Sequence, residues 1–592
     1  MGGVSAKIDI FNESCCHIVH EVLGEWTGIE GNLDMYEFTF SPAVLGVGLY
    51  FCRPCIWTGS EAYFGHGSLM GMRYDISPDT ESLFQISVVD FQYDAPSALY
   101  GGVIYHLFVD RFMRGGDTPL TKGGELVAGE WDTVPEYPEY PGAFLRNNTF
   151  YGGTLWGVID KLEYIKSLGV TAIYLSPIFE SVSNHRYDTA DYMTVDKMLG
   201  GDEALRALID AAGKQGIKII LDGVFNHTGD DSIYFNRRSR YQALGAYQSR
   251  QSEYFSWFDF KEYPNKYTCW WDIEILPRIN PDIPACREYF VGEEGVIAKY
   301  RRMGVYGFRL DVADELSDGF IADIKSRLSE GGESMLLGEV WEDASNKIAY
   351  NMRKRYYLGS ELDGVMNYPL RTGLINYITN RDCSALRYAL TEVIFNAPER
   401  IMHAQMNLLG THDTERILTV LGGSPHRGQP NSTLVSAKLS EDERITAVER
   451  LMSAYTVLAT LPGVPAIFYG DEAGLEGYSD PFNRLPYPWG RENEKLLDRY
   501  VKLGRIRRNN GVYKKGEFRL LYLSDSYLAF ARYGSRSALV TLFNNTDKPV
   551  RLTFSDSAPA LIADNSSREH ILAPYSAEIY KTGKNSAIQI IG

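Results

Sequence analysis

The sequence predicts a (β/α)8 barrel of the TIM type with an inserted subdomain after its third strand. An N-terminal β-sandwich precedes the barrel and a C-terminal antiparallel β-domain follows it. Three observations lead there. Short apolar strand candidates alternate with amphipathic helical segments from Tyr100 to about residue 510. Eight can be marked, at Val103, Ala172, Ile217, Gly307, Met335, Gly364, Asn407 and Ala466. Eight β-then-α units of mostly apolar strands close a barrel rather than extend an open sheet. On either side the helical period disappears, and short β-like runs broken by Gly, Pro, Asp and Ser replace it.

In chain order, MYEFTF, GVGLYFC and FQISVVDF mark residues 1–98 as a small sandwich, similar to a carbohydrate-binding module, that ends near Ala95-Pro96-Ser97. The barrel is expected over 99–510. GVIYHLFVDRF reads as a strand, LWGVIDKLEYIKSLG as a helix, VTAIYLSPIF as a strand, DEALRALIDAAGKQG as a helix and IKIILDGVFNH as a strand. A polar, aromatic-rich stretch of about 57 residues, 228–284, is too long for an ordinary connection and reads as the insertion. The alternation resumes with REYFVGEEGVIAKYRRMG, GFRLD, GFIADIKSRLSE and SMLLGEVWE. DGVMNY, MNLLGTHD and PAIFYGDEAG follow, with AVERLMSAYTVLATL among the helices. FRLLYLS, SYLAFARY, SALVTLFN and REHILAPYSAEIYK make 511–592 the C-terminal β-domain.

Bulk properties narrow the function. A chain of 592 residues with 44% hydrophobic and 23% charged residues is globular and can bury a large core. The net charge of −17 disfavours a polyanionic partner, so no nucleic acid is expected. Tyr outnumbers Phe, 40 to 27, which suits sugars with C–H faces to stack and hydroxyls to bond, though large cores collect aromatics too. No run approaches the roughly 18 apolar residues of a membrane span. MGGVSAKIDIFNESCC lacks a basic region followed by an apolar core, so a cytoplasmic protein is expected. Seven scattered cysteines fit a reducing compartment. CRPC, with Cys52 and Cys55, offers half of a zinc site, but adjacent Cys15 and Cys16 are poorly spaced for tetrahedral ligands. Apolar packing is the better reading, and no metal is expected.

The chemistry collects at the strand ends. In GFRLDVADE, Arg309 and Asp311 sit two apart and so share a strand face. Asp222, Asn226 and His227 end the third strand, Glu339 the fifth, and His412 and Asp413 the seventh. Barrel active sites form at these C-terminal ends. Buried carboxylates are costly unless paired or used, and two of them roughly 5 Å apart are the equipment of a retaining glycosidase. Any one of these residues could serve in a structural ion pair; the convergent set argues for use.

DGVFNH, GFRLDVADE, GEVW and LGTHD resemble, in order and in the matching strands, the four hallmark segments of the α-amylase family, glycoside hydrolase family 13. LPRIN resembles its fifth segment and AIFYGDEAG its eighth strand. The resemblance covers about residues 97–592. It implies Asp311 as nucleophile, Glu339 as general acid/base and Asp413 as the third carboxylate, which binds sugar hydroxyls. It further implies that Arg309 orients Asp311, that His227 and His412 bond the reacting sugar, and that Tyr187 in NHRYDTADY is its aromatic platform. His185 in the same stretch is another sugar-binding candidate. DVADE resembles the DVANE of neopullulanases, cyclomaltodextrinases and maltogenic amylases, with Asp314 where Asn is usual. Trp341 and the pair Asp480 and Arg484 in DPFNRLPYPW match that group's sugar contacts. Two departures stand out. FYGGTLWG has Thr154 where the group's calcium loop has an aspartate, leaving little beside Asp117 to hold calcium. The N-terminal region is also shorter than the group's, which weighs against its domain-exchanged dimer, while a homodimer stays open.

The resemblance therefore implies a retaining α-glucan hydrolase acting on α-1,4 bonds, with some α-1,6 cleavage or transglycosylation. Its substrates would be maltooligosaccharides, cyclodextrins, pullulan or starch fragments. A dedicated α-1,6 debranching enzyme or a transglycosylase is the nearest alternative. A catalytically inactive glucan-binding protein would have lost a catalytic acid, and none is lost. A phosphate-sugar isomerase barrel would carry phosphate-binding glycines near strands seven and eight, which are missing.

Overall fold

The computed structural model describes residues 4–31, 33–58, 61–66, 75–77, 83–118, 127–140, 143 and 145–591. Its centre is a sheet of eight parallel strands: β1 (Val103–Leu107), β2 (Val170–Leu175), β3 (Lys218–Gly223), β4 (Gly307–Leu310), β5 (Met335–Gly338), β6 (Gly364–Val365), β7 (Met406–Leu408) and β8 (Val464–Phe468). Hydrogen bonding follows chain order from β1 to β6, and β8 joins β7 to β1. A parallel bridge between Met366 and Met406 closes β6 onto β7. The ring is complete, as the eight β-then-α units require.

These strands are buried on both faces and read as continuous apolar runs for that reason. Alternate positions point into the barrel, and their character changes along each strand. Ile104, Ala172, Ile220 and Met335 form an apolar inner layer. Two residues further on, at the C-terminal ends, stand His106, Tyr174, Asp222 and Leu337. Gly307 opens β4 where a Cβ would lie 2.0 Å from the Met335 carbonyl oxygen, so only glycine lets β4 approach β5 this closely.

The helical connections follow the predicted order with local breaks. LWGVIDKLEYIKSLG forms two short helices, Leu155–Asp160 and Leu162–Ser167, interrupted at Lys161. REYFVGEEGVIAKYRRMG likewise forms Pro284–Val291 and Val296–Met303, separated at Gly292–Gly295. The longest helix, Glu441–Leu458, starts with a capping box in which Ser440 and Glu443 bond each other's backbone. The stretch after β3 holds only short elements, a single turn at Phe255–Trp257 and a pair of strands at Phe260–Glu262 and Lys266–Tyr267. Before the barrel lies a six-stranded antiparallel sheet with a separate hairpin, Glu25–Glu30 and Leu33–Glu37. Cys52 belongs to that sheet's core with Ile10, Val22 and Phe84, and burial pushes its thiol up to about 12. This is the packing role expected of it. After the barrel, Glu517–Leu523 to Ile588–Ile591 form a seven-stranded antiparallel sheet.

Candidate active site

The register of the central strands brings the charged residues together. Asp222 on β3 stands opposite Arg309 on β4, and Arg309 stands opposite Leu337 on β5. Arg309 and Asp222 therefore share the inner face and pair at 2.8 Å. One step beyond the strands the backbone pairing persists: the Glu339 amide donates to the Leu310 carbonyl at 3.0 Å, and Asp311 N–H to the Gly223 carbonyl at 3.2 Å. Asp311 and Glu339 thus emerge side by side above Arg309.

Arg309 is fully buried and its guanidinium joins all three acids. Nη1 lies 2.7 Å from Asp311 Oδ1, and Nη2 lies 3.0 Å from Glu339 Oε2. Three carboxylates around one cation leave net negative charge in a dry place. Burial pushes the Asp311 carboxyl up, against the pull of Arg309 and with the help of the Glu339 and Asp222 charges. Burial likewise raises Asp222, which Arg309, Tyr174 and Tyr187 draw back down. Asp222 and Asp311 are thus both raised by burial while sharing one guanidinium.

Val312, next to Asp311, has φ +41° and ψ 54°, a left-handed conformation that a β-branched residue rarely adopts. Such strain, of order 1–3 kcal/mol, persists where the surroundings over-determine it. Here it aims the Val312 N–H at Glu339 Oε2, 2.8 Å away. The other oxygen of Glu339 accepts from the Trp341 indole at 3.2 Å. Trp341 stacks one face on Tyr368, with centroids 3.7 Å apart, and stays 47% exposed.

The end of β7 supplies the opposite wall. His412 Nε2 lies 3.1 Å from Asp413 Oδ2 and 2.5 Å from the Tyr187 hydroxyl, which donates to Asp222 at 3.0 Å. Tyr187 and His412 are stacked, 11° from parallel. Burial and nearby Arg484 push His412 well below the ordinary imidazole range, so it is neutral. His227 is pushed down to about 4 by burial, and its buried Nε2 has no protein partner. A buried polar nitrogen without a partner invites a ligand. Burial pushes Asp413 up to about 6, against the pull of Arg484. Arg484 Nη2 lies 3.6 Å from Asp413, and its Nε lies 3.3 Å from Asp480 and donates to the His412 carbonyl at 2.9 Å.

A cavity of about 920 Å³ opens over these groups. It is lined by Asp311, Glu339, Asp413, His185, Tyr187, His227, His412, Trp341, Asp480 and Arg484. Arg309 lies just beneath. The catalytic and sugar-contact candidates singled out from the sequence all line this cavity, with Arg309 as the one beneath it. The volume is at the upper end of the roughly 300–1,000 Å³ usual for ligand pockets, which suits an oligomeric ligand.

Sequence reasoning missed several members. His106 and Tyr174 stack at 4.3 Å beneath the acids, and Tyr174 donates to Asp222 at 2.6 Å. Their signal was available: each sits on the inward phase of a strand, two residues beyond an apolar position. Trp270 and Trp271, Ile273, Ile275 and Tyr350 also line the cavity. Adjacent tryptophans in a polar insertion were the only hint of the first two.

The model of the α-amylase catalytic domain matches residues 138–516. An amylopullulanase of Thermoanaerobacter thermohydrosulfuricus is 35% identical over 519 residues, which span 80% of this chain but 34% of that protein. The chain thus covers about a third of that relative's length. Neopullulanase 2 of Thermoactinomyces vulgaris is 32% identical over 468 residues, covering 78% of this chain and 71% of that one. Among solved structures, the ligand-free cyclic α-maltosyl-(1→6)-maltose hydrolase of Arthrobacter globiformis superposes with a TM-score of 0.67 at 27% identity. That match covers 83% of this chain and all of the other.

Proposed function

The chain belongs to the α-amylase family, and from that premise we propose that it is a retaining α-glucan hydrolase. Its substrates would be maltooligosaccharides, cyclodextrins, pullulan or starch fragments, cleaved at α-1,4 bonds and to some extent at α-1,6 bonds. The observation that carries the reading is the shared anchor: Asp311 and Glu339 both bind the guanidinium of Arg309. Such an anchor favours the roughly 5 Å spacing of retaining enzymes over the roughly 6.5–9.5 Å that an inverting enzyme keeps for its water.

In the first step Asp311 attacks the anomeric carbon and Glu339 passes its proton to the leaving glycosidic oxygen. The bond from carbon to that oxygen breaks as the ester to Asp311 forms. In the second step Glu339 takes a proton from water, or from another sugar's hydroxyl. That oxygen bonds the anomeric carbon and releases Asp311. Arg309 holds both acids in place, and the surplus negative charge favours the cationic character of the transition state. Asp413, His227 and His412 bind the hydroxyls of the reacting sugar over the Tyr187 ring. One digest of pullulan, starch and β-cyclodextrin tests this. Opened cyclodextrin and short maltooligosaccharides from starch support it. Maltotriose from pullulan with intact α-1,4 bonds would indicate a debranching enzyme, and no turnover a binding protein.

Asp413 binds hydroxyls best when ionised, so kcat/KM is expected to fall as pH drops through about 6. A profile that stays flat down to pH 5 would contradict that role. Trp341→Ala is expected to raise KM for oligosaccharides and to lower the share of transfer products, because its open face meets the cleft. A large fall in melting temperature with an unchanged transfer ratio would mean that the ring serves only its stack on Tyr368.

No calcium is required in this reading, because two oxygens of FYGGTLWG, the Tyr151 carbonyl and the Thr154 hydroxyl, are already engaged. Arg114 donates to the Tyr151 carbonyl at 2.7 Å and to the Gly129 carbonyl at 3.0 Å. Thr154 donates to the Gly115 carbonyl at 2.6 Å and accepts from the Gly157 N–H, capping a helix. A guanidinium stands among these carbonyls where a hard cation would need six to eight oxygens. EDTA is therefore expected to leave activity and melting temperature unchanged; a drop restored by added calcium would refute this. A cytoplasmic location is supported by seven unpaired cysteines. No helix among the described residues is long and apolar enough to cross a membrane.

A further inference from the structure

The packing that accounts for Cys52 does not account for Cys15 and Cys16. Both are exposed, side by side, in the turn that joins strands Val4–Phe11 and Ile18–Leu23 of the N-terminal sheet. The Asn12 N–H donates to the His17 carbonyl at 3.0 Å and the Cys15 N–H to the Asn12 carbonyl at 2.9 Å, which closes the turn. Cys15 has φ +58°, a left-handed position that favours glycine or asparagine. A cysteine is kept there all the same, with a second beside it, and both thiols meet solvent.

This turn is bonded to the wall of the substrate cavity. Arg353 Nη2 donates to the Glu13 carbonyl at 3.2 Å, and its Nη1 donates to the Asn346 carbonyl at 3.0 Å. Arg353 ends a two-stranded hairpin, Ile348–Ala349 with Met352–Arg353, of which Ile348, Ala349 and Tyr350 line the substrate cavity. A separate cavity of about 130 Å³ lies where turn and hairpin meet. Glu13, Arg353, Lys354 and Arg355 line it, three cations against one acid. Burial pushes the Cys15 thiol up and the Arg353 charge draws it back down, so the thiol stands within that positive field.

We propose that Cys15 and Cys16 form a thiol–disulfide exchange site for small anionic disulfides, and that their oxidation loosens the cavity wall held by Arg353. One cysteine thiolate attacks a disulfide sulfur; that S–S bond breaks and the departing sulfur takes up a proton. The neighbouring thiolate then attacks the cysteine sulfur of the mixed disulfide, releases the second thiol and closes a Cys15–Cys16 bond. Two protein thiols are oxidised, and one external disulfide is reduced to two thiols. The cationic cavity favours an anionic reagent. Adjacent Cα atoms lie about 3.8 Å apart, short of the roughly 4.4–6.8 Å that a disulfide usually spans. Closing the bond therefore reshapes the turn, and the Glu13 carbonyl that holds Arg353 is only two residues away.

The test treats the whole enzyme with glutathione disulfide, which is anionic, or with cystamine, which is cationic. Mass spectrometry follows the peptide Ser14–Glu21, released by a glutamate-specific protease, and KM for β-cyclodextrin is measured alongside. The peptide is expected to lose about 2 Da, roughly fivefold faster with glutathione disulfide than with cystamine. KM should rise roughly threefold and return to its starting value with dithiothreitol. The double variant Cys15→Ser/Cys16→Ser should keep its basal activity and show no such rise, although Cys269 and Cys383 remain. No oxidation of this peptide, a stable glutathione adduct in its place, or equal rates with both reagents would overturn the exchange site. Oxidation with an unchanged KM would overturn its link to the cavity. The KM readout rests on the reading of the chain as an α-glucan hydrolase; an oxidised peptide in an enzyme that never turns over β-cyclodextrin would count against that reading instead.

Discussion

Asp311→Asn and Glu339→Gln are each expected to lower kcat on maltoheptaose by several orders of magnitude while the fold survives. Loss of the nucleophile removes the covalent step, and loss of the proton donor alone forfeits roughly 10²- to 10⁴-fold. Asp413→Asn should join them, because the reacting sugar would lose its charged hydroxyl partner. Stability should not fall with activity. Asp222, Asp311 and Glu339 compete for one guanidinium, and removing one negative charge relieves the other two. Melting temperatures at or above wild type are therefore expected, a common trade between stability and function at active sites. Activity within tenfold of wild type in any of the three would remove that residue from the catalytic set.

The second large effect concerns Arg309. Arg309→Met leaves three carboxylates beneath the cavity without their cation, and removing one partner of a buried ionic group costs about 3–5 kcal/mol. The pH dependence has a definite sign. Without the guanidinium, the folded-state pKa values of Asp222 and Asp311 rise further above those of the unfolded chain. A carboxyl raised in this way favours the fold while protonated, and its stabilising effect is lost as pH rises through the folded value. The gap in melting temperature between variant and wild type should thus be wide at pH 8 and narrower at pH 5. Thermal melts at the two pH values check this, and an equal gap at both would show that Arg309 does not neutralise the acids. Arg309→Lys keeps the charge but not the fork that reaches three acids at once, so it should recover stability more than activity.

Much of this architecture was legible in the sequence for a simple reason. Parallel strands buried on both faces must be apolar, so each appeared as an unbroken run, and the polar residues at their ends stood out. Even β6, only two residues long, was found within DGVMNY. Asp311 stood out because it lies two residues from Arg309 in such a run, on the same face. What could not be read depends on tertiary geometry. The strand phase marks His106 and Tyr174 as inward-facing, but not that the two rings stack or that Tyr174 donates to Asp222. Trp271 and Tyr350 reach the cleft through left-handed turns that local preference argues against. The break at Lys161 is equally invisible, since the apolar period runs straight through it.

The central claim is that Asp311 forms a covalent bond to the sugar while Glu339 handles the proton. The direct measurement is mass spectrometry of the Glu339→Gln variant incubated with α-maltotriosyl fluoride. Fluoride leaves without a general acid, and the missing base slows release of the intermediate. A maltotriosyl adduct that maps to the peptide containing Asp311, and is absent in Asp311→Asn, is expected. An adduct on Asp222 or Asp413 instead, or rapid turnover to β-maltotriose with no adduct, would contradict it.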